Sequence, residues 1–325
     1  MTHGSKPSRR IGRLRTLIAA GIVVALAACG NSDAFDPDRS VPADLTDEAT
    51  AVDETILSLD SPSLASASYA GGIPFGNFSQ PSSEFGTVFN GGQRNIHPQY
   101  LVRELGTIKS RGGKVILKLA NGDKYFKDAS GNFSLTKWKA RVDLYRKVNF
   151  GSYINDGTVI GHFLVDEPQD PSNWNGNPIS QKTLEEMAQY SKSIWPNMPT
   201  IVRTVPDYLS KWNGSYRYLD AAWAQYVAFR WPNTKAFLDD NVAKAKSTGV
   251  ALVVGMNILK GGRNRGRMTA SEVKDYGSTL LSSTYPCAFI NWKYDDAYMS
   301  GGVLDAMKYL RGKAQNRSLK SCKGG

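Results

Sequence analysis

The chain has 325 residues, of which 40 are lysine or arginine, 29 are aspartate or glutamate, three are histidine and three are cysteine. Its charge is uneven: residues 1–28 are basic, residues 29–69 are acidic, and residues 70–325 hold 34 basic and 20 acidic side chains, a net charge of +14. The roughly 255 residues after position 69 match the length of one α/β barrel. His97 and His162 are the only histidines outside the leader, so a histidine-based zinc site is not expected.

The first 28 residues have the layout of an export signal. Five basic residues precede the apolar segment Leu17–Ala28, which is too short to span a bilayer comfortably. The segment ends in Leu26-Ala27-Ala28-Cys29, which resembles the bacterial lipobox and implies cleavage before Cys29 and lipidation of its thiol. The alternative is an ordinary signal peptide followed by an incidental cysteine.

Residues 29–69 predict a flexible tether between this anchor and a folded domain at 70–325. The segment holds nine acids and one base, is rich in Ala, Ser, Asp and Pro, and has few aromatic residues. We therefore expect a protein of the bacterial cell envelope, lipid-anchored at its periplasmic or extracellular face. Its basic domain could favour an anionic polymer, although a solvated basic surface is the simpler interpretation. A nucleic-acid partner is not expected for an exported protein.

Strand-like and helix-like segments alternate after residue 70, which predicts a parallel sheet. We expect strands at Gly72–Phe78, Phe85–Asn90, Lys114–Ala120, Val159–Val165, Thr200–Val205, Ala221–Ala228, Val250–Ile258 and Ala288–Tyr294. We expect helices at Pro98–Arg111, Ser134–Val148, Thr183–Ile194, Thr234–Ser247, Thr269–Leu281 and Gly302–Arg311. Eight strands indicate an α/β fold closed into a (β/α)8 TIM barrel, with a doubly wound open sheet as the alternative. No Gly-x-Gly-x-x-Gly follows the first strand, and no cofactor is expected.

Two cysteines remain once Cys29 is set aside. In an oxidising compartment, Cys287 and Cys322 predict a disulfide that ties the C-terminal tail to the last strand. Two unrelated free thiols are the alternative.

The segment Val159–Pro168 points most directly to chemistry. An apolar run between Gly157 and Pro168 is typical of a strand buried on both faces, and it ends in Asp166 and Glu167. In parallel α/β folds, active sites form at the carboxyl ends of the strands.

Other polar and aromatic side chains are expected at the same face, at or just beyond strand ends. Aromatic faces stack on sugar rings, while carboxylates, amides and guanidinium groups bond to hydroxyls. The candidate substrate-binding residues are Asp166, Arg203, Asp207, Gln225, Tyr226, Asn257, Trp292 and Asp296.

The Asp166-Glu167-Pro168 end of the fourth strand resembles the (β/α)8 glycoside hydrolases, in which Asn-Glu-Pro or Asp-Glu-Pro commonly places the acid/base glutamate. The segment Asn291–Asp296 is similar to the tryptophan-bearing last strand of several such families. By this resemblance Glu167 is the general acid/base, with a pKa raised by partial desolvation or by Asp166.

Glycoside hydrolysis normally needs a second carboxylate, and many relatives carry it as a glutamate at the end of strand seven. This chain has Gly255–Leu259 there, without an acid. Asp295 is the first candidate for the partner, with Asp296 and Asp207 as alternatives. Otherwise the site is degenerate or uses a substrate-assisted mechanism.

We therefore expect an exported glycosidase that hydrolyses O-glycosidic bonds of a poly- or oligosaccharide. The competing hypothesis is a lipoprotein that binds glycans or cell-envelope polymer without turnover. Structural interpretations compete as well: Asp166 or Glu167 caps a following turn or pairs with Arg203, Asp295 and Asp296 form an ordinary loop pair, and Trp292 packs the barrel.

Overall fold

Eight parallel strands close into a barrel in the computed structural model, which describes residues 71–324. The strands follow the chain order around the barrel, and β1 pairs with β8 to close it. The predicted (β/α)8 TIM barrel is therefore confirmed. The strands are β1 Phe75–Phe78, β2 Gly91–Arg94, β3 Lys114–Leu117, β4 Val159–Asp166, β5 Thr200–Arg203, β6 Ala221–Tyr226, β7 Ala251–Met256 and β8 Ala288–Asn291.

Helices follow the strands and surround the barrel. Four of the described helices begin with a side-chain N-cap: Ser134, Ser180, Asn233 and Thr269 each accept a hydrogen bond from a backbone N–H in the first turn. The helices are α1 Leu101–Ser110, α2 Leu135–Asp143, α3 Gly151–Asn155, α4 Gln181–Ile194, α5 Pro206–Leu209, α6 Thr234–Thr248, α7 Ala270–Leu280 and α8 Gly301–Gln315.

The second strand lies outside the predicted segment. Phe85–Asn90 forms a loop whose aromatic rings are buried in the core, and the strand is Gly91–Arg94. Gly91 sits so close to the first strand that a Cβ there would lie 2.6 Å from the Phe75 nitrogen. Close approach of two backbones, rather than strand propensity, therefore selects glycine in β2.

Apolar side chains from the strands fill the barrel interior. Phe78, Phe163 and Trp223 pack there on aliphatic residues from neighbouring strands. A Cβ on Gly255 would lie 1.8 Å from the Ile290 carbonyl oxygen, the atom that accepts a hydrogen bond from Trp223 Nε1. The interior is a packed core, so chemistry is confined to its ends.

The predicted disulfide joins Cys287, just before β8, to Cys322 in the C-terminal tail. Both cysteines are buried at the amino-terminal end of the barrel. Within residues 71–324 no helix combines the length and apolar character that a bilayer span requires. The predicted signal, Cys29 and the tether lie outside the described residues.

Candidate active site

Strand β4 delivers two carboxylates to the carboxyl-end mouth of the barrel. Asp166 is its last residue, and Glu167 follows with φ of +40°, a conformation that residues other than glycine rarely adopt. The Glu167 N–H donates to the Arg203 carbonyl at 3.0 Å, and the Glu167 carbonyl accepts from Trp174 Nε1 at 3.2 Å. Contacts on both sides of the residue hold the strained backbone, a feature that concentrates at functional sites.

Arg203, at the end of β5, is the centre of the site. Its Nε donates to Asp166 Oδ1, its Nη1 donates to Gln225 Oε1 at 2.5 Å, and its Nη2 lies 3.5 Å from Glu167 Oε1. Burial by itself would lower the pKa of Arg203, but the charges of Asp166 and Glu167 outweigh it and raise that pKa. The guanidinium is therefore a fixed positive charge between two carboxylates.

Partial burial raises the pKa of Glu167, and the negative charges of Asp166 and Asp170 add to the effect. Arg203 and Arg230 oppose it. The side chain keeps 39% of its surface exposed, so a ligand in the mouth can reach the carboxyl. An accessible carboxyl with a raised pKa is suited to general acid catalysis.

Trp292 covers the centre of the mouth. Its ring lies 4.6 Å from the Phe78 ring and 4.9 Å from Arg203 Cζ, and the residue is half-buried. Beside it, Gln225 Nε2 has no hydrogen-bond partner among the described residues. Close to this aromatic face, an amide donor is thus left buried and, among the described residues, unpaired. A cis peptide bond joins Trp292 to Lys293.

Asp295 and Asp296 lie in the loop after β8, also at the carboxyl-end face. Asp295 Oδ1 accepts from the Tyr298 N–H at 2.8 Å, and its Oδ2 lies 3.3 Å from Arg267 Nη2. Asp296 is exposed and accepts from the Tyr294 hydroxyl at 3.1 Å. Of the two, Asp295 has the more firmly fixed carboxylate.

No protein-family model matches the chain, and no curated protein sequence matches it either. Solved structures do resemble it. The cellulose synthase subunit Z of Clostridioides difficile is 12% identical with a TM-score of 0.51, over 72% of this chain and 99% of that one. A modular endo-β-1,4-mannanase of Cellulomonas fimi is 12% identical with a TM-score of 0.50, over 76% of this chain and 74% of that one.

The chain has the fold of the (β/α)8 glycoside hydrolases. A β-glucuronidase of an uncultured Clostridium species shares it at 11% identity and a TM-score of 0.50, over 74% of this chain and 50% of that one. At such identities the likeness establishes the fold, and roles of residues in this glycoside hydrolase-like barrel rest on its own geometry.

Two of the predicted site residues face the helix layer instead of the mouth. Asp207 lies 2.8 Å from both Lys211 Nζ and Lys244 Nζ, the latter on α6. Tyr226 is fully buried, and its hydroxyl donates to the Trp231 carbonyl at 2.7 Å. Successive side chains of β6 point to opposite faces. Because Gln225 points into the barrel, Tyr226 points outward.

Asn257 reaches the mouth, but its side chain serves the loop after β7. Its Oδ1 accepts from the Lys260 N–H at 2.9 Å, and its backbone pairs with Trp292.

Gln93, at the mouth end of β2, is a residue that the sequence reasoning missed because the strand was misplaced. It pairs in register with Phe78 and is fully buried, and its Nε2 has no partner among the described residues. The available signal was the pair of glycines followed by Gln93 and Arg94. Within residues 71–324, no three His, Cys, Asp or Glu side chains are arranged to hold a metal ion.

Proposed function

We propose that this chain is a glycoside hydrolase whose general acid/base is Glu167. The observation that carries the proposal is an accessible glutamate with a raised pKa, held in a strained backbone at the mouth of a glycoside hydrolase-like barrel. The protonated carboxyl would donate its proton to the glycosidic oxygen as the bond from that oxygen to the anomeric carbon breaks. The carboxylate left behind would then accept a proton from water.

Asp295 is the proposed second carboxylate. It shares the carboxyl-end face with Glu167, and Arg267 and the Tyr298 N–H fix the orientation of its two oxygens. Asp296 lacks such support, and Asp207 is held by lysines in the helix layer. A carboxylate in this role stabilises positive charge at the anomeric carbon or attacks it directly.

Sugar binding is assigned to the groups that line the mouth. A pyranose ring would stack on Trp292, and its hydroxyls would bond to Gln225 and to the Asp166–Arg203 pair. Asn257 and Asp296 lie on the rim and would contact a longer oligosaccharide. Gln225 Nε2 supports this assignment because it has no partner within residues 71–324, and a buried donor without a partner is costly until a ligand accepts from it.

The proposal includes a location at the bacterial cell envelope, through a lipid on Cys29. The leader sequence supports this part of the proposal. Labelled palmitate should be incorporated by the wild-type chain and not by Cys29→Ala. Equal labelling of the two would remove the lipid anchor from the proposal.

The decisive experiment compares Glu167→Gln with the wild type on a panel of polysaccharides, by release of reducing ends. Loss of the acid/base should lower kcat by roughly 100- to 10,000-fold. Glu186→Gln is the matched control, because Glu186 lies on α4 with 42% of its side chain exposed and pairs with Lys182 at 4.0 Å. Full activity of a folded Glu167→Gln protein would overturn the proposal.

A glycan-binding barrel without turnover is the second candidate. The observation that favours it is that Asp295, the proposed second carboxylate, is engaged by Arg267, and that Asp166 is engaged by Arg203. Saturable glycan binding with no product after prolonged incubation would establish this function instead.

A further inference from the structure

One side of the mouth carries a dense positive charge. Two loops contribute it, residues 227–231 after β6 and residues 257–268 after β7. We call the following exposed side chains the basic rim: Arg230, Lys260, Arg263, Arg265 and Arg267.

Backbone hydrogen bonds fix the two loops to each other and to the barrel. The Ala228 N–H donates to the Gly261 carbonyl at 2.7 Å, and the Met268 N–H donates to the Ile258 carbonyl at 2.8 Å. Between these anchors, the Gly262 N–H donates to the Gly266 carbonyl at 3.0 Å. The rim is therefore a built surface, since both of its loops are tied at their bases.

Two of the rim arginines share one aromatic ring. The Cζ atoms of Arg230 and Arg265 lie 5.7 Å and 5.1 Å from the centre of the Phe229 ring. Such contacts orient a guanidinium without using its N–H donors. Among the described residues, the ion pairs include Arg267 with Asp295 but none with Arg230 or Arg265.

The rim adjoins the candidate acid/base. The positive charge of Arg230 lowers the pKa of Glu167, in opposition to burial, so Arg230 lies within electrostatic reach of the proposed reaction centre. Arg267 meets Asp295, the proposed second carboxylate, from the other loop. The two arginines thus connect the rim to both halves of the proposed site.

We propose that the basic rim binds the anionic groups of an acidic glycan, so that the substrate is a polysaccharide bearing carboxylate or sulfate groups. That the bound glycan is also the substrate rests on the proposed function. Guanidinium groups bond to carboxylate and sulfate oxygens through paired N–H donors, and Arg230 and Arg265 have those donors available. A neutral glycan would leave this surface unused.

The test measures binding in the Glu167→Gln background, so that turnover does not remove the ligand. The probes are two matched pairs: polygalacturonate with its methyl ester, and dextran sulfate with dextran. Affinity is measured by calorimetry at an ionic strength of about 0.15 M, where long-range attraction is screened. The variants are Arg230→Ala with Arg265→Ala, and the control Lys182→Ala with Lys308→Ala, which removes the same charge from exposed helix surfaces.

The arginine pair should bind at least one of the two anionic polymers about tenfold more weakly than its parent, with little change for the neutral polymers. The polymer affected tells whether the rim reads carboxylate or sulfate. The lysine control should stay within about twofold of its parent. Equal losses in both variants, or no loss in the arginine pair, would overturn the inference.

The two proposals can fail independently, and the experiments distinguish the two failures. If a folded Glu167→Gln protein keeps full turnover while the arginine pair loses anionic binding, the acid/base assignment fails and the rim stands. If Glu167→Gln abolishes turnover while the arginine pair binds like its parent, the rim fails and the hydrolase stands.

Discussion

Two carboxylates at opposite ends of the barrel, Asp220 and Glu167, differ in how fully the fold satisfies them. Asp220 precedes β6 at the amino-terminal end, where it lies 2.6 Å from Lys192 Nζ and accepts from the Thr200 N–H at 2.8 Å. Its other oxygen accepts from the Gly324 N–H at 3.3 Å. At the mouth, the Glu167 carboxylate has one long contact among the described residues, 3.5 Å from Oε1 to Arg203 Nη2, and its backbone is strained.

The difference teaches which end of the molecule carries stability and which is free for chemistry. At the amino-terminal end, the Cys287–Cys322 disulfide and a saturated Asp220 tie the tail to the barrel. A cavity of about 450 Å³ lies there as well, away from Glu167. Among the described residues, no carboxylate side chain lines it. At the mouth, charges are concentrated, and donors such as Gln225 Nε2 have no partner in the part of the chain that the structure describes. A site that must bind a ligand keeps such groups at some cost in stability.

Removal of the disulfide at the amino-terminal end should cause the largest loss of stability. The bridge spans 35 residues, and closing a loop of that length is expected to stabilise the fold by about 4 kcal/mol. The double variant Cys287→Ser with Cys322→Ser should lose free energy of unfolding of this order in urea. Its kcat near room temperature should match the wild type. A large loss of kcat in the folded variant would show that the two ends are not independent.

Asp220→Asn should have the next largest effect. The change leaves Lys192 without its partner in a mostly buried setting, and breaking such a pair costs about 3 kcal/mol. Activity should persist, in contrast to Glu167→Gln, which should keep its stability and lose turnover. Asp305→Asn is the control, because Asp305 is 73% exposed and pairs with Lys308 at 3.2 Å. If Asp220→Asn is as stable as this control, Asp220 is not a structural anchor.

The barrel was predictable because its strands are buried on both faces and four of its described helices begin with a side-chain N-cap. The apolar segment Val159–Val165 and the Thr269–Glu272 capping box are local signals that the fold agrees with. Strand β2 was not predictable in this way. Gly91 belongs to it because the Pro74–Phe75 backbone leaves no room for a side chain, and a Cβ on Gly92 would lie 2.8 Å from the Phe85 ring. Propensity records neither contact.

The principal groups of the site were predictable, but the directions in which some side chains point were less so. Strand-end position brought Asp166, Glu167 and Arg203 to one mouth, as expected for parallel strands. Tyr226 was misassigned because one residue of register decides which face of β6 a side chain takes. Asp207 was misassigned because it lies beyond β5, in α5, where the chain has already turned towards the helices.

A buried histidine offers a smaller test, on pH and stability. His162 lies on β4 with its Nδ1 2.8 Å from Ser191 Oγ, and complete burial lowers its pKa from 6.5 to about 3. Between pH 6.5 and 3, His162 therefore binds a proton in the unfolded chain but not in the folded chain. Stability from the neutral ring is present above pH 6.5 and is lost as the pH falls towards 3, by about 1.4 kcal/mol per pH unit.

The variant His162→Asn lacks this titration, so its free energy of unfolding should fall less steeply between pH 6.5 and 4 than that of the wild type. Urea unfolding at several pH values measures both slopes. Parallel curves for the two proteins would mean that His162 does not titrate on unfolding. His162 is thereby tested as a buried titratable group that serves stability, in contrast to Glu167, the proposed acid/base, which directly follows the same strand.

The smallest expected effect is on the pH dependence of turnover, and it tests whether the mouth works as one electrostatic unit. A general acid must hold its proton, so kcat/KM should fall as the pH rises through the pKa of Glu167. Arg230 lowers that pKa, and Arg230→Gln should therefore move the alkaline limb of kcat/KM to higher pH on an uncharged substrate. Salt should move the wild-type limb in the same direction, because it screens the exposed arginine, and should move the Arg230→Gln limb less. Lys182→Gln removes an exposed charge at the start of α4 that is not among the main charges acting on the pKa of Glu167, and it should leave the limb in place. If neither Arg230→Gln nor salt shifts the alkaline limb of kcat/KM, Glu167 is not the group whose proton the reaction uses.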